Sequence, residues 1–259
     1  MCYSARYNFS VYCLHNKFIY ILLPFMIKYC VYGISIIIVL FSLTGRSSGM
    51  ATQDSFLITS FTKKEFNKGE PIGWKSHKGI CREIRNRFMP ELLEAEGKGI
   101  LHVNASDSGT IIFRPVRINP VEYPFLSWRW KVSNILPESR EKEAGGDDYP
   151  AAVCIVYGKT FFSIPYNYKI LIYAFGNNVP AGERYKNPCE ARARIIIVQS
   201  GESATGRWLD YKIHHYQDYL REYGEEPPGI IYVGIQTNAD RTHGKVEAWY
   251  SDIALNRFP

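Results

Sequence analysis

The sequence predicts an all-β fold: a single jelly-roll-type β-sandwich with one short helix, preceded by an N-terminal signal peptide or anchor helix. Three observations carry this. Short runs rich in Val, Ile, Tyr, Phe and Trp recur between Gly, Pro, Asn and Asp, the pattern of half-buried pleated strands. One segment alone has a helical period, which argues against alternating βαβ units. One uncharged apolar block, Val31 to Leu43, stands apart near the N-terminus.

The leader comes first along the chain. The apolar block is 13 residues long, short of the roughly 20 that span a bilayer. Lys28 precedes it and Thr44–Gly49 follow, small residues apart from Arg46. A positive start, a greasy centre and a small-residue exit read as a secretory signal. Ser47 and Gly49 are placed for cleavage before Met50, and Gly49 with Ala51 offers a second option. Met26 opens a compact version of the same signal, so residues 26–49 are the signal peptide and residues 1–25 a mis-called extension. The rival reading takes Phe18 to Leu43 as a retained anchor broken at Pro24. It buries Lys28 at a cost of about 2.5–3.5 kcal/mol at mid-membrane. Either reading places the domain of residues 50–259 in the periplasm or outside the cell, touching membrane only through an uncleaved leader. A cytoplasmic protein is what remains if neither holds.

Charge and cysteine exclude more than they select. Arg6, Lys17, Lys28 and Arg46 supply four of the 31 basic side chains, and residues 1–49 hold no acid. The net +6 of the whole chain therefore falls to +2 beyond the leader. No basic stripe marks a nucleic-acid partner. Cys81, Cys154 and Cys189 lie beyond the leader without zinc-type spacing. Cys154, in the run Ala151–Tyr157, reads as a small buried hydrophobe. A region of about 210 residues is one domain with a full core.

The strand patterns follow in order at Phe56–Phe61, Ile80–Ile84, Glu91–Ala95, Gly99–Val103, Thr110–Val116 and Phe125–Val132. They continue at Ala151–Tyr157, Tyr168–Phe175, Ala191–Gln199, Arg207–His215, Gly229–Thr237 and Lys245–Leu255. The helix is Tyr216–Tyr223. Tyr216, Tyr219, Leu220 and Tyr223 form one stripe, Gly224 sits at the C-cap, and Pro227-Pro228 prevent continuation.

Alternation assigns faces. Leu126, Trp128, Trp130 and Val132 point inward, and Ser127, Arg129 and Lys131 outward. Trp208 lies opposite the Leu209/Tyr211/Ile213 face. Trp249 and Ile253 are expected to oppose Tyr250 and Asp252. Arg192 and Arg194 share a face, so Arg129, Lys131, Arg192 and Arg194 are expected to line one polar wall.

Chemistry-bearing residues cluster weakly. In Gly146–Ala151 (GDDYPA), Asp147 and Asp148 beside Tyr149 are expected to be solvated or paired around the turn set by Pro150; calcium ligation and acid/base work are the alternatives. His214-His215 cannot chelate one ion from a regular strand, because adjacent residues face opposite ways. No nucleophile elbow, zinc-protease, Walker or dinucleotide motif occurs.

Several motifs together resemble one bacterial family. They are Tyr123–Val132, Gly146–Gly158, Gly182 with Asn187-Pro188, Arg194–Gly201, Gly206-Arg207-Trp208, Tyr223–Pro228 and Glu247–Ile253. Over roughly residues 56–255 the chain is similar to the exported domain of unknown function 3047 proteins. The resemblance implies a galactose-binding-like jelly roll and brings no catalytic mechanism. Members tend to carry Thr-Asp-x-Asp-Asn-Thr before the last strand, where this chain has Thr237-Asn238-Ala239-Asp240-Arg241-Thr242. Asp240 alone keeps its carboxylate there, implying weaker cation or hydroxyl binding or an anionic ligand. Asp252 falls where some jelly-roll sugar binders hold a structural calcium, the only cofactor implied.

The functional expectation is a non-catalytic carbohydrate-binding or envelope-glycan-binding domain. Its contact residues would be Arg129, Lys131, Asp147, Asp148, Tyr149, Arg192, Arg194, Trp208 and Asp240. The alternatives are a polysaccharide hydrolase or lyase using the loop aspartates, and a structural or partner-binding envelope protein.

Overall fold

Every second side chain of the strand Phe125–Val132 is buried, and this alternation builds the inter-sheet core. The computed structural model describes residues 53–59, 61–67, 70–76, 87–93, 98–162 and 164–259. The leader, the expected strand at Ile80–Ile84 and Cys81 lie outside the described residues.

The elements run β1 (Ser55–Thr59), β2 (Phe66–Asn67), β3 (Glu70–Pro71), β4 (Lys75–Ser76), β5 (Arg87–Leu93), β6 (Lys98–Ser106), β7 (Gly109–Ile118) and β8 (Phe125–Val132). They continue with β9 (Ala152–Phe161), β10 (Ile164–Gly176), β11 (Arg184–Lys186), β12 (Ala193–Ser200), β13 (Leu209–Ile213), α1 (His215–Tyr223), β14 (Ile230–Asn238) and β15 (Lys245–Asn256). The first sheet has the order β13-β8-β15-β6-β5, with β1 also on β15. The second has the order β11-β12-β10-β9-β14-β7-β4, and β2 and β3 form a separate ribbon. The chain changes sheet at β4–β5, β6–β7, β7–β8, β8–β9, β12–β13, β13–β14 and β14–β15. This repeated crossing makes the predicted jelly-roll-type sandwich.

Trp128 and Trp130 are fully buried between the sheets with Leu126, Tyr173, Phe175 and Tyr250. Trp128 stacks on Tyr211 at 5.0 Å. Indoles of this size dominate core burial. The second sheet is buried on both faces at its centre. Val153, Ile155 and Tyr157 of β9 face the inter-sheet core, while Ala152, Cys154 and Val156 join Ile172, Ile195 and Ile197 in a second cluster. Burial pushes the Cys154 thiol up to about 12, so the residue is the inert small hydrophobe expected.

Gly234 of β14 sits under that cluster. A Cβ there would fall 2.6 Å from Cys154 Sγ and 2.7 Å from Phe113 Cδ1. Gly234→Ala is expected to cost about 1–3 kcal/mol by overpacking. Adding Cys154→Ala should recover part of it, a coupling that urea denaturation of the double variant measures.

The helix begins one residue earlier than its apolar stripe. His214 caps it, its Nδ1 accepting from Gln217 N at 3.3 Å, and Gly224 ends it at φ 68° with its N–H on Leu220 O. Left-handed backbone favours glycine at such a C-cap. Tyr219 and Tyr223 pack against the inter-sheet core, and Tyr219 meets Tyr157 at 4.6 Å. Arg184 of β11 ties the helix down through Asp218 (2.7 Å) and Glu222 (3.2 Å). Among the described residues no helix is long and apolar enough to cross a membrane.

The last strand departs from simple alternation. Tyr250 and Ile253 both point inward while Trp249 is half-exposed on the outer face. The register slips between Ser251 and Ala254, where Asp252 has φ 51°. One extra residue reverses the faces beyond it, so Trp249 and Ile253 do not share a side as the sequence predicted.

Candidate functional site

The outer face of the first sheet gathers cations and rings side by side. Arg129 and Lys131 point outward from β8, as their alternation predicted. Trp208 immediately precedes β13, where Asp210 pairs with Arg129 and Leu209 with Trp130. That register brings Trp208 level with Lys131. The indole lies 5.4 Å from the Arg129 guanidinium and 5.7 Å from the Lys131 ammonium. On the other side of β8, Lys131 is in register with Trp249 of β15, with its Nζ 4.0 Å from that ring. Trp249 is in turn in register with His102 of β6, their rings stacked at 4.6 Å and 5°. Trp208, Lys131, Trp249 and His102 thus form one row across the sheet.

The row is braced by acids. Arg129 Nε lies 2.7 Å from Asp210 Oδ1, and its Nη1 lies 3.9 Å from Asp252 Oδ2. His102 Nε2 is 2.8 Å from Glu247 Oε2. Trp249 is held upright, with Lys131 from one flanking strand and His102 from the other on its two faces. Trp208, at the sheet margin, is half-buried. Pairs at this exposure are worth about 0.5–1 kcal/mol each, so they orient side chains more than they stabilise the fold.

The structure divides the remaining predicted residues among other places. Arg194 shares the inner side of the second sheet with Leu171, its register partner, and lies 5.0 Å over Tyr223 of α1. Arg192 precedes β12, so alternation does not govern it. It pairs with Glu190 at 2.8 Å and covers Tyr168 at 3.9 Å. The common wall of four cations expected from the sequence is therefore corrected: Arg129 and Lys131 stand on one sheet, Arg192 and Arg194 on the other. Pleat alternation distinguishes inside from outside but does not name the sheet.

Asp147, Asp148, Tyr149 and Asp240 meet where the chain enters β9. Asp148 is fully buried. Its Oδ1 accepts from Asn238 Nδ2 at 3.0 Å. Its Oδ2 accepts from Arg241 N (3.0 Å), Thr242 N (2.7 Å) and Thr242 Oγ1 (2.8 Å). The carboxylate thus clasps the turn joining β14 to β15. Burial raises its pKa against these hydrogen bonds, and the nearby Asp240 raises it further. Burial also raises Asp147, whose Oδ1 lies 3.6 Å from Cys189 Sγ. Asp240 sits 3.6 Å from the Arg241 guanidinium. Tyr149 is buried, donating to Glu141 O at 3.2 Å and sharing a hydrogen bond with Tyr185 at 3.1 Å. Of the three readings weighed for GDDYPA, the paired, structural one describes Asp148.

Asp252, expected as a calcium ligand, faces Arg129 instead, and a bound cation would lie beside that guanidinium. Among the described residues no three His, Cys, Asp or Glu side chains are arranged to hold a metal. Sequence reasoning missed His102 and Trp249 as members of the outer row. Trp249 carried a signal, an indole one residue from a buried tyrosine in a strand. His102 carried none, because only strand pairing brings it there.

The sequence matches the family described as "Protein of unknown function (DUF3047)" over residues 73–254. No curated protein matches it. Among solved structures it is similar to the family 11 carbohydrate-binding module of the cellulosomal cellulase Lic26A-Cel5E of Clostridium thermocellum. That match has TM-score 0.40 and 9% identity, covering 79% of this chain and 95% of that one. Another similar structure is the xyloglucanase domain of NopAA, a type three effector from Sinorhizobium fredii, in complex with cellobiose. Its TM-score is 0.37 at 8% identity, covering 72% of this chain and 95% of that one. Likenesses this remote assign no ligand to this chain.

Proposed function

Because the chain belongs to the DUF3047 family, whose description gives no function, its activity is argued from its own surface, and we propose that it is an exported, non-catalytic carbohydrate-binding domain. The ligand, an oligosaccharide or envelope glycan, lies across the outer face of the first sheet. One observation carries this reading: the half-buried Trp208 indole stands beside Arg129 and Lys131 on a solvent-facing wall. An indole offers a flat apolar surface to a sugar ring, and guanidinium and ammonium groups donate to hydroxyls and carboxylates. Ser127 on the same face of β8, together with Asn104 and Glu247 on β6 and β15, adds donors and acceptors. The rival reading, cleavage by loop aspartates, is disfavoured because both Asp148 oxygens already accept hydrogen bonds within the fold.

Isothermal titration with acidic and neutral oligosaccharides tests the proposal. Trp208→Ala is expected to weaken binding roughly 30-fold, the ~2 kcal/mol typical of an aromatic hot spot. Lys131→Ala should weaken acidic ligands more than neutral ones. No heat at millimolar ligand, or a Trp208→Ala protein that binds as tightly as the unchanged one, overturns the reading. Release into the periplasm or medium, with an N-terminus at Met50 by mass spectrometry, tests the signal peptide; a retained leader identifies the anchor.

A further inference from the structure

The β9–β10 hairpin ends in a tip that a sandwich core does not need. Phe161, Phe162 and Ile164 are 68%, 85% and 67% exposed, and Tyr166 is 48% exposed. In register, Phe161 opposes Ile164 and Lys159 opposes Tyr166. Residues two apart in a strand share a face, so Phe161, Ile164, Lys159 and Tyr166 lie on one side of the hairpin. The order from the tip inward is two apolar side chains, then a lysine beside a tyrosine. Phe162 crowns the tip with φ 47° and packs edge-on against Phe161 at 4.6 Å. A left-handed phenylalanine costs about 1–2 kcal/mol where glycine or asparagine would cost less, which points to a use for the side chain.

Beside this tip lies an open groove of about 630 Å³. Arg117, Asn119, Lys159, Thr160 and Tyr166 line it, and among the described residues none that line it is acidic. Apolar residues leading and a lysine one rung behind, with Arg117 further back on the groove wall, are the arrangement of a segment that enters the boundary of an anionic bilayer. The spacing agrees: two strand residues span about 7 Å, within the 5–10 Å depth at which interfacial segments sit. Tyrosine and lysine then fall at headgroup level.

We propose that this hairpin docks the domain onto an anionic phospholipid surface. Phe161, Phe162 and Ile164 enter the acyl boundary, and Arg117 and Lys159 hold lipid phosphates. This contact is independent of the leader and of the sugar-binding face, so neither reading falls with the other.

The test uses Phe162→Trp in the full chain, read as the emission difference from the unchanged protein. The vesicles contain phosphatidylcholine and phosphatidylglycerol with brominated acyl chains. The expected result is a blue shift and quenching of the added indole, falling at least about fivefold when Arg117→Ala and Lys159→Ala are introduced or phosphatidylglycerol is omitted. Unshifted, unquenched emission overturns the proposal, and so does quenching indifferent to both charges. Sedimentation velocity without lipid supplies the remaining arm. An assembly that Phe162→Asp disperses identifies the tip as a contact between copies and also overturns it.

Discussion

Asp148→Ala is expected to lower the free energy of unfolding by about 3–5 kcal/mol, with the urea midpoint shifted at constant m-value. Four donors converge on this carboxylate, two of them the backbone N–H groups of Arg241 and Thr242. Alanine leaves those donors facing one another in a part-buried site, at roughly 1–3 kcal/mol for each one unsatisfied. The same change loosens the turn that delivers β15 to the first sheet. Asp148→Asn keeps one acceptor oxygen and should cost about half as much. A midpoint unchanged in both variants would mean that the turn closes without the clasp.

The second large effect is loss of stability in mild acid. His215 is fully buried. Its Nε2 lies 2.8 Å from Tyr123 O, which can only accept, so the proton resides on Nε2 and Nδ1 accepts from the Tyr157 hydroxyl at 2.8 Å. A second proton would set Nδ1–H against that hydroxyl. Burial, outweighing the carbonyl bond, depresses the imidazole from 6.5 to about 3. The unfolded chain therefore takes up this proton first. Stability is fully present above pH 6.5 and declines toward pH 3, by about 4–5 kcal/mol over the whole interval. Asp147 and Asp148 act in the opposite sense, because raised carboxyl values favour the fold in acid. Protonation of these carboxyls adds stability as the pH falls, so of these groups only His215 accounts for a decline below pH 6.5. Urea midpoints measured across this range should flatten in His215→Gln, which retains one donor and one acceptor.

Fold was legible in this sequence to the extent that burial repeats at a fixed period. The strand Phe125–Val132 is found at both its boundaries because strict alternation ends where the outward cations end. The apolar run Ala151–Tyr157 reveals a buried strand but hides its extension to Phe161, where exposed phenylalanines break the rule that apolar side chains turn inward. The faces of β15 were misassigned beyond Ser251, since a bulge adds a residue without changing composition. The candidate site was half legible. Arg129, Lys131 and Trp208 are united as expected, whereas their partners Trp249 and His102 arrive by long-range pairing that no local pattern encodes.

The position of β15 within the first sheet has a consequence for biosynthesis. It lies between β8 and β6 and also carries β1, with Ser55 opposite Asn256. Until a ribosome has released residue 256, β8 and β6 can pair only with their outer neighbours β13 and β5. The edges that face β15 stay open, and β1 lacks the strand it pairs with. Closing contacts of such sequence separation is slow. The first sheet therefore stays split in two until the end of translation. Its open edges are a substrate for holding chaperones rather than part of a domain that matures stepwise from its N-terminal half.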